Sequence, residues 1–116
     1  MKVAAISMKP EKWNKEANSL RMEKFFREAA KQGAKVALIT ELALEGYLEG
    51  YLVLEVVEKP ELASRLLDAA EPIDGPYIQR FRNLAEELGI CLCLGFAERI
   101  NGEVYNTAIF IDYDGE

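Results

Sequence analysis

The sequence predicts an α/β fold, in which a mixed β-sheet carries helices on one face. Three observations lead to this prediction: an early strand–helix–strand order, two later amphipathic helices, and a hairpin signal near residue 101. A strand–helix–strand unit favours two parallel strands, because the crossover helix returns the chain to the end of the sheet at which the first strand began. The hairpin adds an antiparallel pair. With 116 residues, the chain fits one domain with a single core.

The first strand is predicted at residues 3–8, a short apolar run. Because its apolarity is continuous rather than alternating, we expect both of its faces to be covered. Asn14 is expected to cap a helix that runs to about residue 32, and Gly33 follows its end. The helical spacing gives this helix one apolar stripe: Met22, Phe25, Phe26, Ala29 and Ala30.

The second strand is predicted at residues 36–39, directly before Thr40 and Glu41. Residues 41–59 are expected to form a loop, because Gly46 and Gly50 interrupt them. Within that loop, residues 52–57 fit a strand or a helical turn equally well, since a short apolar run has no decisive periodicity.

Two helices are predicted next. Pro60 opens the first and Pro72 stops it, and one face of this helix carries Leu62, Leu66, Ala69 and Ala70. Gly75 and Pro76 open the second helix and Gly89 ends it. The stripe of the second helix consists of Ile78, Phe81, Leu84, Ala85 and Leu88.

The last two strands are predicted at residues 90–99 and 104–112, joined by a turn at 100–103. Asn101 and Gly102 lie at the centre of that turn. An Asn-Gly pair between strand-like runs indicates a hairpin, because both turn residues need a positive φ.

The composition excludes several classes of function. A net charge of −6 argues against a nucleic-acid partner and against an anionic membrane surface. No apolar run approaches the roughly 18 residues that a membrane span needs. Because charge soon interrupts the apolar stretch at the N-terminus, it is a poor signal peptide, and we expect a cytoplasmic protein.

The chain has no histidine and two cysteines. This excludes histidine-dependent triads and His-ligated zinc, so acid–base chemistry would fall to Asp, Glu, Lys or Tyr. Cys91 and Cys93 alternate with large aliphatic residues on one side of a strand. We expect them to be small buried core residues that form no disulfide with each other.

Glu41 is the candidate site residue, and Asn106 is a further polar residue at an unusual position. Glu41 directly follows an apolar strand, and ligands of open α/β sheets bind at the carboxyl ends of strands. From position alone Glu41 fits a general base, but it fits better a solvated loop acid or a first-turn Glu that accepts hydrogen bonds from helix amides. Asn106 is unusual inside a strand, and we expect it to hydrogen-bond a neighbouring loop or to mark a site.

Several motifs in order resemble the N-terminal part of the nitrilase, or carbon–nitrogen hydrolase, superfamily. The motif ELALEGY at 41–47 is similar to the family's glutamate motif, with Thr40 where the family usually has Pro. The remaining motifs are the first strand at 1–8, DGP at 74–76, LAEELGI at 84–90, GFAER at 95–99 and YNTA at 105–108.

The resemblance implies a four-layer αββα sandwich, of which residues 1–116 would form one partial domain. It also implies a Glu-Lys-Cys triad with Glu41 as the general base. In the family, that base deprotonates a cysteine, which attacks a small amide, carbamoyl or nitrile substrate, and water then hydrolyses the acyl-enzyme. The lysine stabilises the oxyanion. Such a triad needs no metal and no cofactor, and whole family members form homo-oligomers.

The chain also departs from the family's pattern. All eight lysines lie at or before Lys59, and none matches the family's catalytic lysine. Neither Cys91 nor Cys93 lies in the nucleophile motif. We therefore expect the N-terminal portion of an amidase-like hydrolase that is inactive by itself. The alternatives are a non-catalytic half-domain that pairs with another chain, and a small-molecule-binding domain that contacts its ligand through Glu41. The sequence leaves the substrate and its binding residues open.

Overall fold

The computed structural model describes residues 1–46 and 60–116. Within them one four-stranded sheet has the order β1-β2-β3-β4. Its strands are β1 (Lys2–Ile6), β2 (Ala34–Ile39), β3 (Cys91–Ile100) and β4 (Glu103–Ile111). The helices are α1 (Lys15–Lys31), α2 (Pro60–Ala69) and α3 (Pro76–Leu88). The segment 52–57, for which the sequence fits a strand or a helical turn, lies outside the described residues.

The sheet is mixed, as the sequence predicts. β1 pairs with β2 and β2 pairs with β3 in parallel, whereas β3 and β4 form an antiparallel hairpin. The hairpin turn has positive φ angles of 50° at Asn101 and 80° at Gly102. The predicted cap of α1 is also confirmed, because the Asn14 side chain accepts a hydrogen bond of 3.0 Å from the amide of Ala17.

The core lies between the sheet and the two helices α1 and α3. Phe26 of α1 and Phe81 of α3 meet edge to face, with ring centroids 5.9 Å apart. Phe25 is 37% exposed, so its place in the predicted apolar stripe is wrong. It precedes Phe26 by one residue and therefore points about 100° away from it around the helix. No helix in the described part of the chain is both long and apolar enough to cross a membrane.

The opposite face of the sheet is apolar and, within the described residues, largely uncovered; α2 reaches it only near Ala97, where Leu66 packs on a small cluster of Leu42, Ala70 and Ala97. One row of paired residues crosses all four strands: Ala5, Leu38, Cys93 and Phe110. In that row Leu38 is 40% exposed and Phe110 is 57% exposed. The prediction that the first strand is covered on both faces is therefore wrong within the described structure. The cause is that α1 and α3 both pack on the other face.

Candidate active site around Glu41

Glu41 lies two residues beyond the end of β2, at the carboxyl end of that strand. Its side chain is exposed, and its carboxylate accepts a hydrogen bond from the side-chain amide of Asn106 in β4. The prediction that Asn106 bonds a neighbouring loop is thus confirmed. Side chains alternate along a strand, so Asn106 shares the uncovered face of the sheet with Ala108 and Phe110. The structure therefore places the Glu41 carboxylate beside the uncovered apolar face.

The backbone around Glu41 forms a tight turn at residues 41–46. The amide of Ala43 donates to the carbonyl of Thr40 at 3.2 Å, and the amide of Gly46 donates to the carbonyl of Leu42 at 3.1 Å. Leu42 has a φ of 50°, a left-handed conformation that costs a leucine roughly 1–2 kcal/mol. Such backbone strain persists only where the surrounding contacts hold the chain in place.

Contacts from two directions hold this turn. From the segment around α1, the Asn18 side-chain amide donates to the carbonyl of Leu44 at 3.0 Å, and the amide of Trp13 donates to the carbonyl of Glu45 at 2.9 Å. From β3, Gly95 packs against the turn so closely that a Cβ there would lie 2.7 Å from the amide nitrogen of Leu42. The residue at 95 must therefore be glycine for the turn to lie where it does.

Glu45 is a second carboxyl group in the same turn, and sequence reasoning missed it. Its side chain is fully buried, and its Oε2 accepts a hydrogen bond of 2.9 Å from the amide of Ala97 in β3. Burial raises the pKa of the Glu45 carboxyl to about 7, with a further contribution from nearby Glu71. The hydrogen bond from Ala97, the backbone amide of Glu45 itself and the charge of Lys15 oppose that rise in pKa. Glu45 is therefore largely protonated at mildly acidic pH.

Glu71 is another buried carboxylate that the sequence did not reveal. Its Oε1 lies 3.1 Å from the Lys15 ammonium, and its Oε2 accepts the Tyr77 amide at 2.8 Å. It thereby caps the first turn of α3, where Gly75 at the N-cap offers no side chain. Because a glycine at the N-cap position has no side chain with which to cap, it indicates that another side chain performs the capping.

The two cysteines are free and only half-buried, so the prediction of buried core residues is wrong. Both lie on the face of the sheet opposite to α1 and α3, in the same row of the sheet as Leu38 and Phe110 or beside it. The absence of a disulfide between them is confirmed. The Cys91 thiol donates a hydrogen bond of 3.4 Å to the Asp112 carboxylate. Burial and that hydrogen bond raise the pKa of Cys91, which disfavours the nucleophilic thiolate.

Comparisons of this chain with family models and with known proteins agree on one family. The model of the carbon–nitrogen hydrolase family matches residues 2–116. The N-carbamoylputrescine amidase of Solanum lycopersicum is 38% identical over 94 residues, which are 80% of this chain and 28% of that protein. The aliphatic nitrilase of Rhodococcus rhodochrous is 26% identical over 116 residues, or 99% of this chain and 32% of that protein. The chain thus spans about a third or less of the length of these relatives.

Solved structures share the fold. An amidase from Nesterenkonia sp. superposes with a TM-score of 0.72 at 23% identity, covering 100% of this chain and 40% of that one. The C. elegans NitFhit protein superposes with a TM-score of 0.77 at 20% identity, covering 98% of this chain and 25% of that one. Mutants of the Nesterenkonia enzyme have also been solved: a glutamate-to-glutamine mutant with acrylamide added to the active-site cysteine, and a cysteine-to-alanine mutant with butyramide. With its family model matched along nearly the whole sequence, this chain belongs to the carbon–nitrogen hydrolase family.

Proposed function

We propose that residues 1–116 are the N-terminal portion of an amidase-like hydrolase that cleaves non-peptide C–N bonds, with Glu41 as its general base. The observation that carries this proposal is the position of the Glu41 carboxylate. It lies at the carboxyl end of β2, beside the uncovered apolar face, and the Asn106 amide orients it. The matched share of the relatives, 28% and 32%, supports a portion rather than a whole enzyme.

The proposed reaction has two halves. Glu41 takes the proton of a cysteine thiol, and the sulfur attacks the carbonyl carbon of the substrate. The C–N bond then breaks, and Glu41 returns the proton to the departing amine, which leaves a thioester. In the second half Glu41 takes a proton from water, the resulting hydroxide attacks the thioester, and the carboxylic acid departs as the thiol regains its proton. A lysine stabilises the oxyanion of each tetrahedral intermediate.

In this proposal the cysteine and the lysine come from parts of the enzyme beyond residue 116. Cys91 is disfavoured as the nucleophile, because the Asp112 carboxylate accepts its thiol hydrogen bond. The uncovered row from Ala5 to Phe110 offers a surface on which further strands of such an enzyme would pack. Glu41 would then lie at the boundary between the two layers, where a substrate can be enclosed.

The substrate class we propose is a small amide or N-carbamoyl compound, with nitriles as the third member. Support comes from the relatives, which are N-carbamoylputrescine amidases at 38% identity and nitrilases at 26% and 29% identity. Like whole members of the family, the complete enzyme is proposed to be a homo-oligomer.

The test of this proposal compares the complete protein with residues 1–116 alone. Both are assayed for ammonia release from N-carbamoylputrescine, butyramide and a short aliphatic nitrile. We expect turnover by the complete protein, its loss in Glu41→Gln, and none by the 116-residue chain. Turnover by the 116-residue chain that Glu41→Gln blocks would overturn the claim that this portion is inactive alone.

A second candidate function follows from the uncovered sheet face. Exposed apolar side chains in register, such as Leu38 and Phe110, are typical of a surface that another polypeptide covers. The chain would then be a non-catalytic half-domain that pairs with another chain. Sedimentation velocity separates the two, since a compact 13.1 kDa monomer that binds no hydrophobic dye would contradict the half-domain.

A further inference from the structure

Beyond the short pairing between β2 and β3, the edge of β3 that faces β2 forms an isolated parallel bridge, in which Glu98 pairs with Glu71. β2 pairs with β3 only from Val36–Leu38 to Cys91–Cys93. At Ala97, next to this bridge, the backbone amide and carbonyl both point toward this edge. The amide of Ala97 donates to Glu45 Oε2 at 2.9 Å, and its carbonyl accepts the amide of Glu71 at 2.9 Å. The Glu45 carboxyl thus fills the place that a neighbouring strand's carbonyl would take.

This arrangement requires a carboxyl group in a dry environment. Glu45 is fully buried, and its Oε1 has no hydrogen-bond partner among residues 1–46 and 60–116. An ionised carboxylate with one unpartnered oxygen is costly to bury, so the neutral acid is the favoured form. The charged groups of the described residues that act on Glu45 are Lys15 from α1 and Glu71 from the segment before α3. Lys15 is already paired with Glu71 at 3.1 Å.

Glu41 and Glu45 are the two ends of one tight turn, and each bonds to the β3–β4 hairpin. Glu41 accepts from the side chain of Asn106, and Glu45 accepts from the backbone of Ala97. Ala97 and Asn106 are direct partners in the register of this hairpin. The turn is therefore fastened to one point of the hairpin through both carboxyl groups.

We propose that Glu45 is a positioning residue for Glu41: its buried, neutral carboxyl ties the turn to Ala97 and thereby fixes where the Glu41 carboxylate lies. This inference rests on the proposed function, in which Glu41 is the general base. The backbone bonds to Leu44 and Glu45 from Asn18 and Trp13 remain when the Glu45 side chain is removed. What is lost is the hydrogen bond between the turn and the backbone of β3 at Ala97.

Three variants of the complete protein test the proposal: Glu45→Gln, Glu45→Ala and Glu41→Gln. Gln keeps an oxygen acceptor for Ala97 and stays neutral, so we expect kcat within about threefold of wild type at pH 6. Ala leaves the Ala97 amide unpaired. We then expect kcat to fall by about tenfold or more with little change in KM, because a small displacement of a catalytic group lowers the rate strongly. Glu98→Gln is the matched control, since Glu98 is also buried but bonds Thr107 instead.

The pH profile gives a readout that a merely structural role would not produce. As the pH rises through about 7, wild-type Glu45 ionises in its buried site, whereas the amide of the Glu45→Gln variant cannot ionise. The ratio of kcat of Glu45→Gln to that of wild type should therefore rise through this range, and the same ratio for Glu98→Gln should stay flat.

Two results would overturn the positioning role: a flat ratio for Glu45→Gln, or a Glu45→Gln enzyme as impaired as Glu45→Ala. If Glu45→Ala fails to fold, as judged by circular dichroism, the Gln variant and its pH ratio still decide. A different result would show that the proposed function itself is wrong. If Glu41 is not the general base, the Glu41→Gln variant retains turnover, irrespective of the results for the Glu45 variants.

Discussion

Ala97 and Asn106 face each other across the β3–β4 hairpin, and each holds one carboxyl group of the same turn. The Asn106 side chain donates to Glu41, and the Ala97 amide donates to Glu45. The hairpin therefore defines the position of Glu41 as much as the strand that precedes it. If Glu41 is the general base, as we propose, this pairing gives its exposed side chain the fixed orientation that such a base requires.

The bond from Asn106 should matter for catalysis more than for stability. In Asn106→Ala the Glu41 carboxylate loses an orienting donor, so we expect kcat of the complete enzyme to fall by about tenfold or more. Asn106→Asp should lose more, because two carboxylates would then repel each other. Steady-state kinetics measure both effects. Thr107→Val is the control, since Thr107 bonds Glu98 on the other face of the sheet. Equal losses in Asn106→Ala and Thr107→Val would contradict a specific role of Asn106.

Gly95 should tolerate no side chain. A Cβ at this position would lie 2.7 Å from the Leu42 amide nitrogen and 2.9 Å from the Glu41 Cα, and both are backbone atoms of the turn. Gly95→Ala should therefore displace the turn, with a loss of about 1–3 kcal/mol in the free energy of unfolding and a further loss of kcat.

The matched control for Gly95 is Gly102→Ala in the hairpin turn. A Cβ at Gly102 meets nothing within 4 Å, although its φ of 80° costs about 1 kcal/mol in an alanine. Urea denaturation and kinetics together separate the two variants. We expect Gly102→Ala to lose stability alone, and full activity in Gly95→Ala would contradict the close packing of the turn on β3.

The sequence predicted the framework because its signals are local. Asn14 as a helix cap and Asn101-Gly102 as a turn each act through their own backbone, so neighbouring residues suffice to recognise them. The same holds for Glu41, whose place after an apolar run follows from the end of β2.

The remaining features depend on pairings between distant residues. From the sequence, Glu45 has the features of an ordinary polar residue in a loop. Its carboxyl group is buried against the backbone of Ala97, which is 52 residues away and cannot be recognised as its neighbour from the sequence. The Glu71 side chain caps α3, and its neighbours in the sequence do not predict its ion pair with Lys15, which is 56 residues away. The prediction that both faces of the first strand are covered failed for another reason. An apolar run indicates that a strand is buried, but it does not show which other element packs on each face.

Glu71 and Gly75 should show strong coupling in a double-mutant cycle. A methyl group at residue 75 would collide with the Glu71 carboxylate, which Lys15 and Tyr77 hold in place. Gly75 has a φ of −72°, so its replacement by alanine brings no backbone strain. We expect Gly75→Ala to cost about 1–3 kcal/mol in wild type, because the carboxylate must leave its buried partners.

In a Glu71→Ala background the same Gly75→Ala substitution should cost far less, because the colliding carboxylate is gone. Chemical denaturation of the four proteins in this cycle gives the coupling energy. Equal costs of Gly75→Ala in both backgrounds would contradict the idea that Gly75 is needed to make room for Glu71.

Glu45 should make the folded protein less stable as the pH rises. Its pKa is about 7 in the folded state against an ordinary value of 4.5, so between these values the folded state binds more protons than the unfolded state. The stability that this group contributes is therefore complete below about pH 4.5 and is lost as the pH rises toward 7, by about 3 kcal/mol in total.

The Glu45→Gln variant, whose side chain has no titratable proton, provides the comparison. The difference in free energy of unfolding, variant minus wild type, should then increase by that amount from about pH 4.5 to about pH 7.5 in urea titrations. A difference that decreases with pH would show that Glu45 is ionised in the folded protein.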